Sequence, residues 1–238
     1  MNPFRKKTAA DRHPVPACDR VPAGLVSLTK AAGISLTKAG LEGQRAAVQL
    51  VLDHSGSMST FYEAGAVQRL AEQVLALSVH LDDDGLVPLS YFGTRASRMG
   101  DIDLDDYVGV IERTHRRISW GSTDYVAGMK AAVERHGHST RPGLVIFQTD
   151  GNPDDRAATE AYLRATAADE AIFWAFVGFG YNTSFLRTLD DLAGRAVDNA
   201  AFINASAPWE LTDAELYDAI SRPFRAWLRA AASVGVVR

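Results

Sequence analysis

From residue 46 onward, five short apolar runs (46–52, 86–92, 143–149, 171–178 and 196–203) are separated by stretches with helical periodicity. This rhythm constrains the fold more than any other feature. Apolar residues crowd these runs without alternating, as in strands buried on both faces. After the first run, Thr60 and Glu63 read as a capping box, and Val67, Leu70, Val74, Leu77 and Leu81 give the helix that follows an apolar stripe. Residues 100–106 are acidic and read as a short edge strand leading into a helix at 107–117. Residues 119–123 read as a loop, and helices are expected at 124–135, 154–167 and 184–192. A second capping box, Thr212 with Glu215, opens a C-terminal helix striped by Leu216, Ile220, Phe224 and Leu228 and interrupted or kinked at Pro223. Strands alternating with helices imply an α/β fold: a doubly wound, mostly parallel sheet with helices on both faces, in a domain spanning 45–235.

The first 40 residues follow another pattern. Residues 1–24 are rich in Pro and basic side chains and read as a flexible segment. Two units then repeat with period eight, Val26-Ser27-Leu28-Thr29-Lys30 and Ile34-Ser35-Leu36-Thr37-Lys38, with Ala-Ala-Gly between them. Each alternates apolar with polar, which predicts a β-hairpin over 25–40. Two strands alone are marginal in water, so the pair must dock on the main domain.

Composition narrows the function classes. A chain of 238 residues suits one domain with an appendage. A net charge of −4 with no basic stripe argues against a nucleic-acid partner. The single cysteine, Cys18, closes no internal disulfide, which suits a reducing compartment. The basic N-terminus leads into no signal-peptide core, and the apolar run at 171–180 is half of the ~20 residues a spanning helix needs. These features predict a cytoplasmic protein without a membrane partner, for which the sequon at Asn182 is idle.

The strand ends carry the chemistry. In a doubly wound sheet, ligands bind beyond the carboxyl ends of strands where their order reverses. Asp53-His54-Ser55-Gly56-Ser57 follows the first apolar run, Thr149-Asp150-Gly151 ends a later one, and Gly121-Ser122-Thr123-Asp124 precedes a helix. If the two strands are neighbours, Asp53 and Asp150 approach one object. Two carboxylates with the hydroxyls of Ser55, Ser57 and Thr123 are hard oxygen ligands, and the paired negative charges call for a cation. A set with so few charges suits Mg2+ first, with Mn2+ or Ca2+ as alternatives.

Asp53-x-Ser55-x-Ser57, Thr123 and Asp150 together resemble the three parts of the metal-ion-dependent adhesion site of von Willebrand factor A (vWA) domains. The resemblance covers about residues 45–232. It implies a non-enzymatic module that holds a divalent ion through these five residues and binds a protein partner whose Asp or Glu completes the metal shell. His54, Trp120, Ser122 and Asp124 would form the partner-binding rim. The Ser-Leu-Thr-Lys units resemble the opening of TerD-like tellurium-resistance domains. Together the two elements resemble the TerF-like branch of tellurite and stress resistance proteins. The rest of a TerD-like domain is missing, because the apolar runs begin within ten residues of Lys38.

Other chemistries fit less well. A magnesium-dependent phosphatase-like enzyme using Asp53 is the alternative, but it requires a second acid where Ser55 stands and a downstream lysine. The 54–58 segment, His-Ser-Gly-Ser-Met, lacks the elbow of a serine hydrolase. Asp101, Asp103, Asp105 and Glu112 have the spacing of a calcium loop, but Asp106 stands where its turn needs glycine, so they read as a solvated acidic edge.

Overall fold

The computed structural model describes residues 17–82, 84–137 and 141–237, and its apolar runs form one six-stranded sheet. The strands are β1 (Ala47–Asp53), β2 (Leu86–Phe92), β3 (Ala96–Asp103), β4 (Gly143–Thr149), β5 (Ile172–Phe179) and β6 (Ala200–Ala205). Their order is β3-β2-β1-β4-β5-β6, with the β2–β3 pair antiparallel and the other pairs parallel. The acidic edge strand therefore begins earlier than its charges suggest, returning beside β2 straight after the turn at 93–95.

The helices are α1 (Val26–Lys38), α2 (Ser59–Glu63), α3 (Ala66–Leu81), α4 (Val110–His115), α5 (Tyr125–His136), α6 (Arg156–Asp169), α7 (Ser184–Asp190) and α8 (Asp213–Ser233). Successive strand residues serve opposite cores, which is why the runs are apolar throughout. Leu50 and Leu52 join Leu36, Leu75 and Phe224 on one side of the sheet, and Val51 joins Phe92, Met129, Leu163 and Phe185 on the other. Among the described residues no helix is long and apolar enough to cross a membrane.

Residues 26–38 are a helix, not the expected hairpin. Eight residues advance a helix by about 80° beyond two full turns, so a period-eight repeat places its copies on neighbouring faces as readily as strand alternation does. Leu36 is buried and Leu28 packs on the core, while Val26 and Ile34 are 54% and 48% exposed. The Ala-Ala-Gly segment continues the helix. Gly33 lets α3 come close, since a Cβ there would stand 3.0 Å from His80 Cε1, and the His80 ring meets the Thr29 carbonyl at 2.8 Å. The helix packs on α3 and α8, so the expectation that this segment docks is met in a different secondary structure.

Two smaller expectations change as well. Residues 17–25 form two 3-10 turns with Ala17 and Leu25 buried, so the loose segment does not extend to 24, and its residues 1–16 lie outside the described residues. Thr60 and Glu63 fall inside α2 rather than capping a long helix, and Gly65, at φ 76°, separates α2 from α3. The Thr212–Glu215 box does form, with Glu215 N–H donating to Thr212 Oγ1 at 3.3 Å and Thr212 N–H to Glu215 Oε2 at 2.9 Å. α8 runs unbroken past Pro223, held by the buried faces of Ile220, Phe224 and Trp227.

Candidate metal centre

β1 and β4 are hydrogen-bonded neighbours, and the chain leaves them toward opposite faces, to α3 after β1 and to α6 after β4. The switch point of the sheet therefore lies between Asp53 and Asp150. Asp53 is the last residue of β1 and is fully buried. Its Oδ1 accepts the Ser55 N–H at 2.7 Å, and its Oδ2 accepts the Thr149 hydroxyl at 2.6 Å. A 3-10 turn at Gly56–Met58, anchored by the buried Met58, brings Ser57 back over the strand end. Ser55 Oγ and Ser57 Oγ lie 3.2 Å apart, and Ser57 Oγ donates to Asp150 Oδ1 at 2.8 Å. Asp53, Ser55, Ser57 and Asp150 thus form one connected chain of polar groups across two strand ends.

Thr123 belongs to the third loop. Gly121 N–H donates to the His54 carbonyl at 3.0 Å, tying this loop to the first. A Cβ on Gly121 would stand 2.6 Å from Thr94 N, so only glycine allows that approach. Thr123 exchanges two bonds with Asp154, donating its N–H to Asp154 Oδ2 at 3.1 Å and accepting the Asp154 N–H at its carbonyl at 3.0 Å. Its hydroxyl makes no hydrogen bond among the described residues.

The electrostatics are uncompensated. Burial pushes the Asp53 carboxyl up to about 6, against the bonds from Thr149 and Ser55 that favour its charge. Burial also raises Asp150, opposed by Ser57. Neither carboxylate has a cationic side chain as partner among the described residues. The donor set suits a small divalent ion: adjacent oxygens of an octahedron with ~2.1 Å bonds lie about 3 Å apart, which is the spacing along Ser55, Ser57 and Asp150. Both Asp53 oxygens are already engaged, which favours contact through water from that residue.

The expected rim divides. Trp120 is 43% exposed and Ser122 is exposed, with its N–H on Thr94 Oγ1 at 3.1 Å. His54 is not on the rim: it is 2% exposed and lies beneath Trp120, the rings stacked at 4.0 Å. Asp124 uses one oxygen to cap α5, accepting the Ala127 N–H at 2.9 Å. Several supporting residues carried no signal in the sequence. Thr149 and Asp154 read there only as a strand end and a helix start, and the Tyr62 hydroxyl, which donates to the Asp53 carbonyl at 2.8 Å, sat in a supposed cap.

Comparison with known proteins bears on the fold and the family. The uncharacterized protein YcbR of Bacillus subtilis (strain 168) is 33% identical over 217 residues, 88% of each chain. The von Willebrand factor type A structure from Catenulispora acidiphila is similar with a TM-score of 0.55 at 15% identity, covering 76% of this chain and 43% of that one. Manganese-loaded TRAP of Plasmodium vivax is similar with a TM-score of 0.54 at 17% identity, covering 76% and 74%. At such identities the structural likeness speaks for the fold alone. Residues 45–237 match the vWA-TerF-like model, described as the vWA domain found in the TerF C terminus, and the chain belongs to that family.

Proposed function

We propose that this protein is a metal-dependent recognition module in which Asp53, Ser55, Ser57, Thr123 and Asp150 hold a divalent ion, Mg2+ or Mn2+, and that an Asp or Glu of a partner protein completes the shell. The observation that carries this reading is the pair of carboxylates, Asp53 and Asp150, linked through hydroxyls with no cation among the described residues beside them. When bound, the ion supplies a Lewis-acidic position for a partner carboxylate. Ser55 and Ser57 present hydroxyl oxygens, Thr149 and the Ser55 amide orient Asp53, and Asp154 fixes the loop that offers Thr123. The manganese bound by the structurally similar TRAP supports a divalent ion.

A binding role is favoured over the phosphatase-like alternative. Asp53 is fully buried with both oxygens occupied, whereas an aspartyl nucleophile needs an open line of attack. Family membership supports a setting in cytoplasmic tellurite or stress resistance. The test is calorimetric titration of the protein with MgCl2 and MnCl2, with and without Ser57→Ala. Saturable binding weakened by the substitution is expected, and no heat and no change in Tm with either ion would overturn the reading.

A further inference from the structure

Beside the metal site the structure holds a cleft of about 350 Å3, between the β2–β3 turn and the loop that precedes α5. We propose that this cleft is a second subsite, which takes a second carboxylate from an acidic segment of the partner protein. The proposal rests on the metal-dependent reading above and names the class of partner that reading leaves open.

Three observations point there. Arg95, on one wall, is exposed and has no ionic partner among the described residues. Nearby arginines differ: Arg98 pairs with Glu134, Arg113 with Asp106 and Arg116 with Glu112. His54 lines the cleft and is 2% exposed, and its ring nitrogens have no hydrogen-bond partner of good geometry among the described residues, although the backbone of Ser119 and of His54 itself lies near the ring. Buried polar groups are rarely left in that condition. Trp120 forms the opposite wall, stacked on His54 and partly exposed, a surface for the methylenes of an acidic side chain.

The two subsites share a backbone. His54 stands between Asp53 and Ser55, and its carbonyl accepts the Gly121 N–H of the Thr123 loop, so the cleft that His54 and Gly121 line adjoins the proposed metal site. An extended chain advances about 3.3 Å per residue, so peptides with acids adjacent or one residue apart span the short separations to be tried. One guanidinium matches one carboxylate, with two parallel hydrogen bonds available. A phosphate dianion would leave a charge unmatched at a single arginine. The hydroxyls of Thr94 and Ser97, on the wall with Arg95, add donors.

The probes are capped glycine peptides carrying one glutamate, two glutamates that are adjacent or one residue apart, or one glutamate beside a phosphoserine. Each is titrated with saturating Mg2+ and again in EDTA, with the Trp120 indole N–H followed by NMR and assigned through Trp120→Phe. A two-glutamate peptide should bind about tenfold tighter than the one-glutamate peptide. Arg95→Gln should remove that preference while leaving the one-glutamate affinity and Tm unchanged. Equal binding of the one- and two-glutamate peptides, or a preference that survives Arg95→Gln, overturns the subsite. An Arg95-dependent preference for the phosphopeptide over both two-glutamate peptides overturns its assignment to carboxylate. One-glutamate binding that is insensitive to EDTA overturns the metal reading, and an Arg95-dependent preference seen in that case still supports the subsite.

Discussion

The two ends of the sheet treat acidic side chains in opposite ways. At the amino end, Asp82 and Asp101 border a cleft of about 250 Å3 and each meets an arginine, Arg141 at 2.9 Å and Arg135 at 2.7 Å. At the carboxyl end, Asp53 and Asp150 meet hydroxyls and a backbone amide and, among the described residues, no cation. One end is neutralised within the chain. The other keeps two carboxylates with no cationic side chain beside them among the described residues, and burial raises the Asp53 carboxyl to about 6.

The largest effect that would separate the two ends is on thermal stability. A ligand at a hundred times its Kd stabilises the folded state by about 2.7 kcal/mol, roughly 5–10 °C in Tm for a domain of this size. Saturating Mg2+ or Mn2+ should therefore raise Tm by that amount in scanning calorimetry, and Asp150→Ala should abolish the gain. Equal melting with and without metal would mean that the carboxyl end is complete as it stands.

Next in size is Asp53→Asn. Asparagine keeps an acceptor for the Ser55 amide and removes the buried charge, with Thr149 able to rotate its hydroxyl toward the new amide. Metal-free Tm should rise by roughly 2–4 °C while the response to metal disappears. A fall in metal-free Tm would show that the charge is not a liability and that the contrast between the ends is false.

The pH dependence follows from the same residue. Native Asp53 holds its proton up to about pH 6, whereas the unfolded chain releases it near 3.8. The folded state then binds more protons between these values, so the stability this group contributes is full below about 3.8 and is lost as pH rises through about 6. His54 runs the other way: burial lowers it to about 4 from 6.5, so its contribution is lost as pH falls through that range. The difference in metal-free Tm between the protein and Asp53→Asn isolates the carboxylate and should widen from pH 4 to pH 7. Metal affinity should climb over the same interval, because a ligand must be deprotonated. A flat difference curve would remove Asp53 from the account.

Much of this was legible before the fold was known, for physical reasons that vary along the chain. Apolar runs serving two cores have one structural reading, so Leu50, Phe147 and Trp174 announced a parallel sheet. Asp53, Ser55, Ser57 and Asp150 were legible because a strand end and a tight turn fix their directions locally. Residues 26–38 were not, since the repeat suits two periods and the choice was made by α3 and α8, whose contacts are remote in sequence. The burial of His54 was hidden likewise, because Trp120 covers it from another loop. Asp154 acts through its backbone and one side-chain oxygen on Thr123, a role no motif encodes.

The smallest expected effect tests the amino end. Asp101 and Arg135 are partly buried, 16% and 30% exposed, and their ion pair joins β3 to α5 across the sheet edge. Asp101→Asn keeps the size of the side chain and a hydrogen-bond acceptor for Arg135, so the loss should be about 0.5–1 kcal/mol, a degree or two in Tm. That loss should shrink in high salt and should be the same with and without Mg2+, because the pair lies at the end of the sheet remote from Asp53. A metal-dependent loss in Asp101→Asn would show that the acidic edge takes part in cation binding, and the division of the sheet into a neutralised end and a cation-seeking end would fail.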